Sequence, residues 1–144
     1  MPYTKRKGML PKGGNKYGAR KVTDPHTGEV FDSQKEYQQW RVLKILEKAG
    51  QITDLQRQVK FELIPSQRGA SIGVYMAGPQ KGLPKPGAVI EKPCCYVADF
   101  AYKDNNGRLH VEDVKGYKKG AAYDLFCIKR KLMLFVHGIK VKEI

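Results

Sequence analysis

The stretch that decides the fold is "YVADFAYKDNNGRLHVEDVKG", from Tyr96 to Gly116. Runs rich in β-branched and aromatic residues flank "DNNG", which has the composition of a tight hairpin turn. Acidic residues nevertheless stand at Asp99 and Asp113, where a buried sheet ordinarily has Val or Ile. The register of the hairpin decides whether these two acids meet.

Two registers are compatible with this turn. A two-residue Asn-Gly loop would set Asp99 opposite Val114 and send Asp113 to the other face of the sheet. A three-residue loop, with the glycine in the left-handed conformation, sets Asp99 opposite Asp113. We prefer the second register because it gathers both acids and Lys115 on one face.

Facing carboxylates predict a cation site. Like charges held opposite each other are destabilising, so the pair needs a shared proton or a cation. Mg²⁺ and Mn²⁺ bind carboxylate and carbonyl oxygens, and Asp99, Asp113 and the backbone carbonyl of Val114 can supply three of them. Lys115 can then hold or activate water and offset charge on a phosphate. The alternative is a structural salt bridge between Lys115 and one of the aspartates.

The composition favours a polyanionic partner. The chain has 144 residues with 27 Lys and Arg against 14 Asp and Glu, a formal charge of +13. Such an excess favours nucleic acid over a small neutral ligand. No run of about 18 apolar residues and no secretory leader is present, so we expect a soluble, intracellular protein.

The first residues predict a basic arm. Pro2 to Lys21 contains seven basic residues and no acid. This composition is typical of a flexible segment, and Lys5, Arg6 and Lys7 are candidate phosphate contacts. A solubilising tail is the alternative. We therefore divide the chain into an arm, residues 1–23, and a folded domain, residues 24–144.

The folded domain begins with turn chemistry at "DPHTG" and continues into the best helix of the chain, capped by Ser33 and stopped by Gly50. Its apolar face is predicted to contain Trp40, Val42, Leu43, Ile45, Leu46 and Ala49. The alternation of Gln58 to Ile64 predicts a strand, and residues 65–93, rich in Gly and Pro, predict a long loop.

The remaining elements follow the hairpin. Ala121 to His137 is predicted to be a helix that ends at Gly138. Its apolar stripe is Leu125, Ile128, Leu132 and Phe135. "IKVKEI" predicts a short edge strand. The predicted order is therefore helix, strand, long loop, strand, strand, helix, strand.

These residues resemble the PD-(D/E)XK nuclease superfamily, in which an acid on one strand is followed by Asp or Glu, any residue and Lys on the next. Here the pattern is Asp99 and then "DVK". The resemblance implies an α/β fold of the restriction-endonuclease type, with helix, three strands, helix and strand, and a mixed central sheet flanked by helices. Ala98 replaces the proline of the motif, and Asp113 replaces the commoner Glu.

A closer resemblance is to small phage and prophage proteins of poorly defined function, carried by "FDSQKE", "YVADF", "VEDVKG" and "KRKLM" over roughly Asp24 to Ile144. It implies a Mg²⁺-dependent or Mn²⁺-dependent DNA endonuclease in the cytoplasm of a bacterial host, with homodimers and Holliday junctions or other recombination intermediates as candidate partners. Asp99 and Asp113 would bind metal, Glu36 would complete the site, and Lys115 would orient water. Gln58 can line the site.

Several assignments have alternatives. Glu36 also fits a capping box with Ser33, in which it bonds back to the backbone at the helix start. Further candidate nucleic-acid contacts are Lys118, Lys119, Lys129 and Lys131, for which a solvated basic face is the alternative. Cys94, Cys95 and Cys127 are expected to be reduced, or to form a zinc site with a His. The competing function is non-catalytic nucleic-acid binding on the same fold.

Overall fold

The computed structural model describes residues 20–144. Its elements in chain order are β1 (Val22–Thr23), β2 (Val30–Phe31), α1 (Gln34–Lys48), β3 (Ile52–Ile64), β4 (Gln67–Arg68), β5 (Val89–Glu91), β6 (Cys94–Asp104), β7 (Leu109–Asp113), α2 (Ala121–His137) and β8 (Lys142–Glu143). The predicted mixed α/β class and the order of the main elements are confirmed. Lys5, Arg6 and Lys7 of the basic arm lie outside the described residues.

Two compact units meet in sequence between Arg41 and Val42. In the first unit, Asp24 forms the predicted turn, since its Oδ1 accepts a hydrogen bond from the His26 amide at 2.7 Å. This turn joins the antiparallel pair β1 and β2. Phe31 is buried with its ring centroid 5.1 Å from that of Tyr37. The hairpin and the start of α1 thus share a small apolar centre.

The second unit contains a four-stranded sheet with the order β3-β6-β7-β8. Neighbouring strands are antiparallel except β7 and β8, which are parallel. A parallel pair needs a long crossover, and α2 supplies it while packing against β3 and β6. The sheet is therefore mixed, as predicted. No helix in the part of the chain from residue 20 onward is both long and apolar enough to cross a membrane.

The hairpin has the preferred register. Phe100 pairs with Glu112, and the same register continued by one residue would place Asp99 opposite Asp113. The turn has the predicted three residues, because the Asp104 amide donates to the Arg108 carbonyl oxygen at 3.0 Å. Gly107 has φ of 74°, the left-handed conformation that this turn requires. The turn sequence alone left two registers open, and the observed one is the register preferred for gathering the acidic residues on one face.

The predicted apolar face of α2 is wrong. Leu125, Ile128 and Phe135 are exposed, Phe135 at 87%. The helix instead buries Phe126 and Met133 against the sheet. α2 carries apolar side chains on two sides, and only its tertiary partners determine which side is covered. Two residues assigned to the apolar face of α1, Val42 and Ile45, are also exposed, whereas Leu43 is buried.

Residues 65–93 form a paired ribbon rather than the predicted long loop. β4 and β5 are antiparallel, and a further bridge joins Val74 and Pro84. The two arms approach closely at Gly87, where a Cβ atom would lie 2.3 Å from the carbonyl oxygen of Gly69. Only glycine fits there, so a residue that suggested irregular chain actually permits close pairing.

Candidate functional site

Asp113 is the centre of the candidate site. It ends β7 and is only 3% exposed. The Tyr96 hydroxyl donates a hydrogen bond to its Oδ2 at 2.5 Å, and the Lys115 ammonium lies 2.6 Å from its Oδ1. On the backbone, the Ile144 amide donates to the Asp113 carbonyl oxygen at 2.9 Å. Both the main chain and the carboxylate of Asp113 are thus held in place.

Tyr96 fixes the orientation of the Asp113 carboxylate. Tyr96 is buried in β6 and belongs to the apolar cluster beneath α2. Burial and the hydrogen bond to Asp113 raise the pKa of the Tyr96 hydroxyl well above its usual value. The hydroxyl therefore remains a donor at any ordinary pH. The sequence analysis did not identify Tyr96, because an aromatic residue in a strand is typical of a core position.

The Asp99 carboxylate is hydrogen-bonded to the backbone of the residue that follows Asp113. Its Oδ2 accepts a hydrogen bond from the Val114 amide at 2.8 Å, and its Oδ1 lies 3.3 Å from the Gln58 Nε2 donor. Val114 directly follows Asp113, so Asp99 is hydrogen-bonded to the residue next to Asp113. Gln58 therefore contacts Asp99, and its predicted place in the lining of the site stays a prediction.

The sheet is irregular at the rung that Gln58 shares with Asp99. Gln58 has φ of 51°, which non-glycine residues rarely adopt. Ala98 and Ala101 both belong to the buried cluster, although regular alternation places residues three apart on opposite faces. Unusual backbone of this kind costs roughly 1–3 kcal/mol and is common at functional sites. The strain here coincides with a predicted site residue.

Lys115 lies between a carboxylate and an aromatic ring. Its ammonium is 4.2 Å from the centroid of Phe126, in addition to its ion pair with Asp113. Asp113 and Lys115 line a cavity of about 280 Å³, together with Tyr96 and Lys129. The cavity opens between the sheet and α2. Asp113 and Lys115 thus face a space that a ligand can enter.

Glu143 is a further acid beside this site. It lies opposite Asp113 in the parallel pairing of β7 and β8. The Tyr123 hydroxyl donates to it at 3.2 Å, the Lys118 ammonium lies 3.3 Å away, and Arg130 also contacts it. Burial raises the pKa of the Glu143 carboxyl, but hydrogen bonds and charges from these partners outweigh it and lower the pKa. The sequence analysis missed Glu143 because no local signal gives the register of a parallel pair.

A family model with the description "Protein of unknown function (DUF1064)" matches residues 14–140. The chain belongs to the DUF1064 family. No curated protein and no solved structure matches it. The DUF1064 match includes the hairpin, α1 and α2, and therefore every candidate site residue from Glu36 to Lys131.

The donor set of this DUF1064 protein suits a hard cation. Asp99 and Asp113 offer carboxylate oxygens, and each Asp113 oxygen has two lone pairs and one side-chain partner, so Asp113 retains acceptor capacity. Mg²⁺ is usually bound through one or two carboxylates and retains several waters. Among residues 20–144 no cluster of three or more His, Cys, Asp or Glu side chains suited to a metal ion occurs. The two aspartates would therefore bind such an ion with water and phosphate as further ligands.

Glu36 of the DUF1064 chain forms the predicted capping box. The Glu36 amide donates to the Ser33 hydroxyl at 3.1 Å, and the Asp32 amide donates to Glu36 Oε2 at 2.9 Å. Glu36 is 4% exposed and lies in the first compact unit. These two hydrogen bonds place Glu36 in a capping role at the start of α1. The catalytic or metal-binding role of Glu36 stays a prediction.

The candidate phosphate contacts of the DUF1064 chain differ in their surroundings. Lys118 is paired with Glu143, which reduces its capacity to bind phosphate. Lys129 lines the cavity beside Asp113. Lys119 and Lys131 are exposed. Lys129 is therefore the best placed of the four for a ligand in the cavity.

Proposed function

We propose that this DUF1064 protein is a metal-dependent endonuclease that hydrolyses phosphodiester bonds in DNA. Asp99, Asp113 and the Val114 carbonyl are the proposed metal ligands, and a metal-binding role of Glu36 stays a prediction from the sequence. Lys115 is proposed to orient the attacking water. The supporting observation is the ion pair of Asp113 with Lys115 at a cavity large enough for a phosphate, with Asp99 hydrogen-bonded to the adjacent Val114 amide.

The chain's own groups have distinct parts in this mechanism. Mg²⁺ or Mn²⁺, when bound, would polarise a phosphate oxygen and acidify a water. Tyr96 holds the Asp113 carboxylate in one orientation through a buried hydrogen bond. Lys115, supported by the Phe126 ring, donates hydrogen bonds to water and offsets the negative charge that develops on the phosphate. Lys129 binds the adjoining phosphate at the mouth of the cavity.

One observation favours the competing function, nucleic-acid binding without catalysis. Both Asp113 oxygens already have protein partners, Tyr96 and Lys115. A buried carboxylate with a protein partner on each oxygen can serve the fold alone. The two functions differ in their metal requirement, because simple binding to phosphates needs no divalent ion.

The first test is cleavage of a labelled four-way junction and a matched linear duplex in Mg²⁺, Mn²⁺ or EDTA. We expect cleavage with either metal and none in EDTA. The ratio of rates on the two DNAs tests the proposed recombination role, the resolution of Holliday junctions, which rests on analogy. Binding of both DNAs without cleavage under any metal condition would support the competing function and remove the endonuclease.

We also propose that two copies associate through an apolar stripe of α2, in which Leu125, Ile128 and Phe135 are exposed and Leu132 is partly buried against the core. Leu125, Ile128, Leu132 and Phe135 follow one another at intervals of three, four and three residues, the spacing of a helix–helix seam. The same stripe on a second copy is complementary to it. Lys129 and Lys131 flank the stripe and repel their counterparts, so the dimer is expected to strengthen with salt or on a polyanion.

Phe135→Glu should disrupt this dimer. A charge in the seam, at a residue 87% exposed in the single chain, should raise the dissociation constant at least about tenfold without unfolding the protein. Sedimentation velocity over a concentration series measures the change. Ile72→Glu is the matched control, because Ile72 is also exposed and lies in the ribbon. A wild-type chain that remains monomeric in high salt and with DNA would exclude the seam.

A further inference from the structure

A second cavity lies on the other side of β7 from the candidate active site. Its volume is about 450 Å³, and its polar lining consists of Arg108, His110, Glu112, Lys140 and Lys142. Glu112 and Asp113 are consecutive in a regular strand, so their side chains point to opposite faces. The two cavities are therefore separated by the sheet.

The acid in this second cavity is neutralised within the protein. Glu112 is 1% exposed, and its Oε1 accepts hydrogen bonds from the Tyr102 hydroxyl at 2.8 Å and the Lys142 ammonium at 3.2 Å. The Lys142 side chain remains 66% exposed despite this contact. The carboxylate is thus enclosed at the base of the cavity, and cations form its outer part.

Two of these cations have no acidic partner. Within residues 20–144, neither Arg108 nor Lys140 forms an ion pair, and both are exposed. His110 differs, since its Nε2 lies 2.8 Å from Asp104. Unpaired cations at a concave surface attract an anion more strongly than paired ones do. Arg108 and Lys140 therefore carry most of the positive potential here.

The basic surface continues around the edge of the sheet. Lys140 also lines a neighbouring cavity of about 300 Å³, with Arg130 and Lys131. Lys131, like Lys140, has no ion-pair partner in the described part of the chain. Lys140 therefore joins two basic cavities. We name the series Arg108, Lys142, Lys140 and Lys131 the β8-edge track.

We infer that the β8-edge track binds the sugar-phosphate backbone of a nucleic acid, outside the candidate active site. A row of cations that spans two cavities fits a repeating anion better than one small phosphate. Protection of an exposed strand edge explains lysines within a strand, such as Lys142, but Arg108 and Lys140 lie outside β8. The inference rests on the proposed function for the choice of nucleic acid as the polyanion.

The test is binding of a fluorescein-labelled duplex and single strand in EDTA, measured by anisotropy over a salt series. The variant is Arg108→Ala with Lys140→Ala, because neither residue contacts Asp99, Asp113 or Lys115. The control is Lys81→Ala with Lys92→Ala, which removes the same charge from the ribbon. We expect the track variant to weaken binding roughly 10-fold to 100-fold and to reduce the salt slope by about 2 relative to wild type.

The outcomes separate the track from the catalytic proposal. Equal dissociation constants and salt slopes for the track and control variants would overturn the track, even if the protein cleaves DNA. Track-dependent binding without cleavage in any metal would remove the nuclease and leave the track in place. A polyglutamate peptide that binds through Arg108 and Lys140 more tightly than either nucleic acid would assign the surface to an acidic protein and overturn the inference.

Discussion

Asp113→Asn should reduce metal-dependent cleavage at least about 1,000-fold, because it removes one of two proposed carboxylate ligands and the charge that holds Lys115. The fold should change little. The asparagine carbonyl oxygen can still accept the Tyr96 hydrogen bond, which in the wild type measures 2.5 Å. Single-turnover cleavage, with thermal unfolding of the same preparation, measures both effects.

Glu112→Gln is the matched control for this substitution. Glu112 is the preceding residue, is equally buried and loses the same charge, but it faces the other side of β7. Its cleavage rate should stay within about threefold of wild type, as expected for a change that touches no reacting group. Equal losses in the two variants would mean that buried charge, rather than chemistry at Asp113, limits activity, and the assignment of the active site to Asp113 would fail.

Met133→Ala should lower the free energy of unfolding by about 2–5 kcal/mol, the usual cost of emptying a core site of this size. Met133 is completely buried between α2 and the sheet, where it belongs to the same cluster as Tyr96 and Phe126. Urea denaturation followed by circular dichroism at a fixed protein concentration gives the value.

Leu134→Ala is the control within the same helix. Leu134 is similar in volume but 54% exposed, so its truncation should cost much less, about 1 kcal/mol or below. A larger loss for Leu134 than for Met133 would show that the helix presents its other side to the sheet. The comparison therefore tests directly which apolar side of α2 is covered.

The sequence predicted the parts of the fold that local chemistry controls. The helix bounds at Ala121 and His137 and the hairpin register depend on turn residues, caps and periodicity within a short window. The buried side of α2 and the full length of strand β3 do not depend on such local features. Phe135 and Met133 are both apolar residues. Only the position of the sheet determines that Met133 is buried and Phe135 exposed.

The candidate site was predictable for a similar reason. Asp99, Asp113 and Lys115 lie on one hairpin, so its sequence alone was enough to group them as candidates. Tyr96 lies on the same hairpin, but an aromatic residue in a strand is typical of a core position, and Glu143 joins through contacts that no short window contains. Tyr96 reaches Asp113 across the sheet, and Glu143 depends on a parallel pairing that α2 makes possible. Residues supplied by distant chain segments need the tertiary structure.

Phe126 belongs to two parts of the molecule at once. Its ring is packed in the buried cluster, and its face supports the Lys115 ammonium. Helices can detach from a sheet in local openings that need less free energy than complete unfolding. An opening that lifts α2 would withdraw this support from Lys115 while β6 and β7 remain paired. We therefore expect heating to disrupt the candidate site at a lower temperature than the one at which the sheet unfolds.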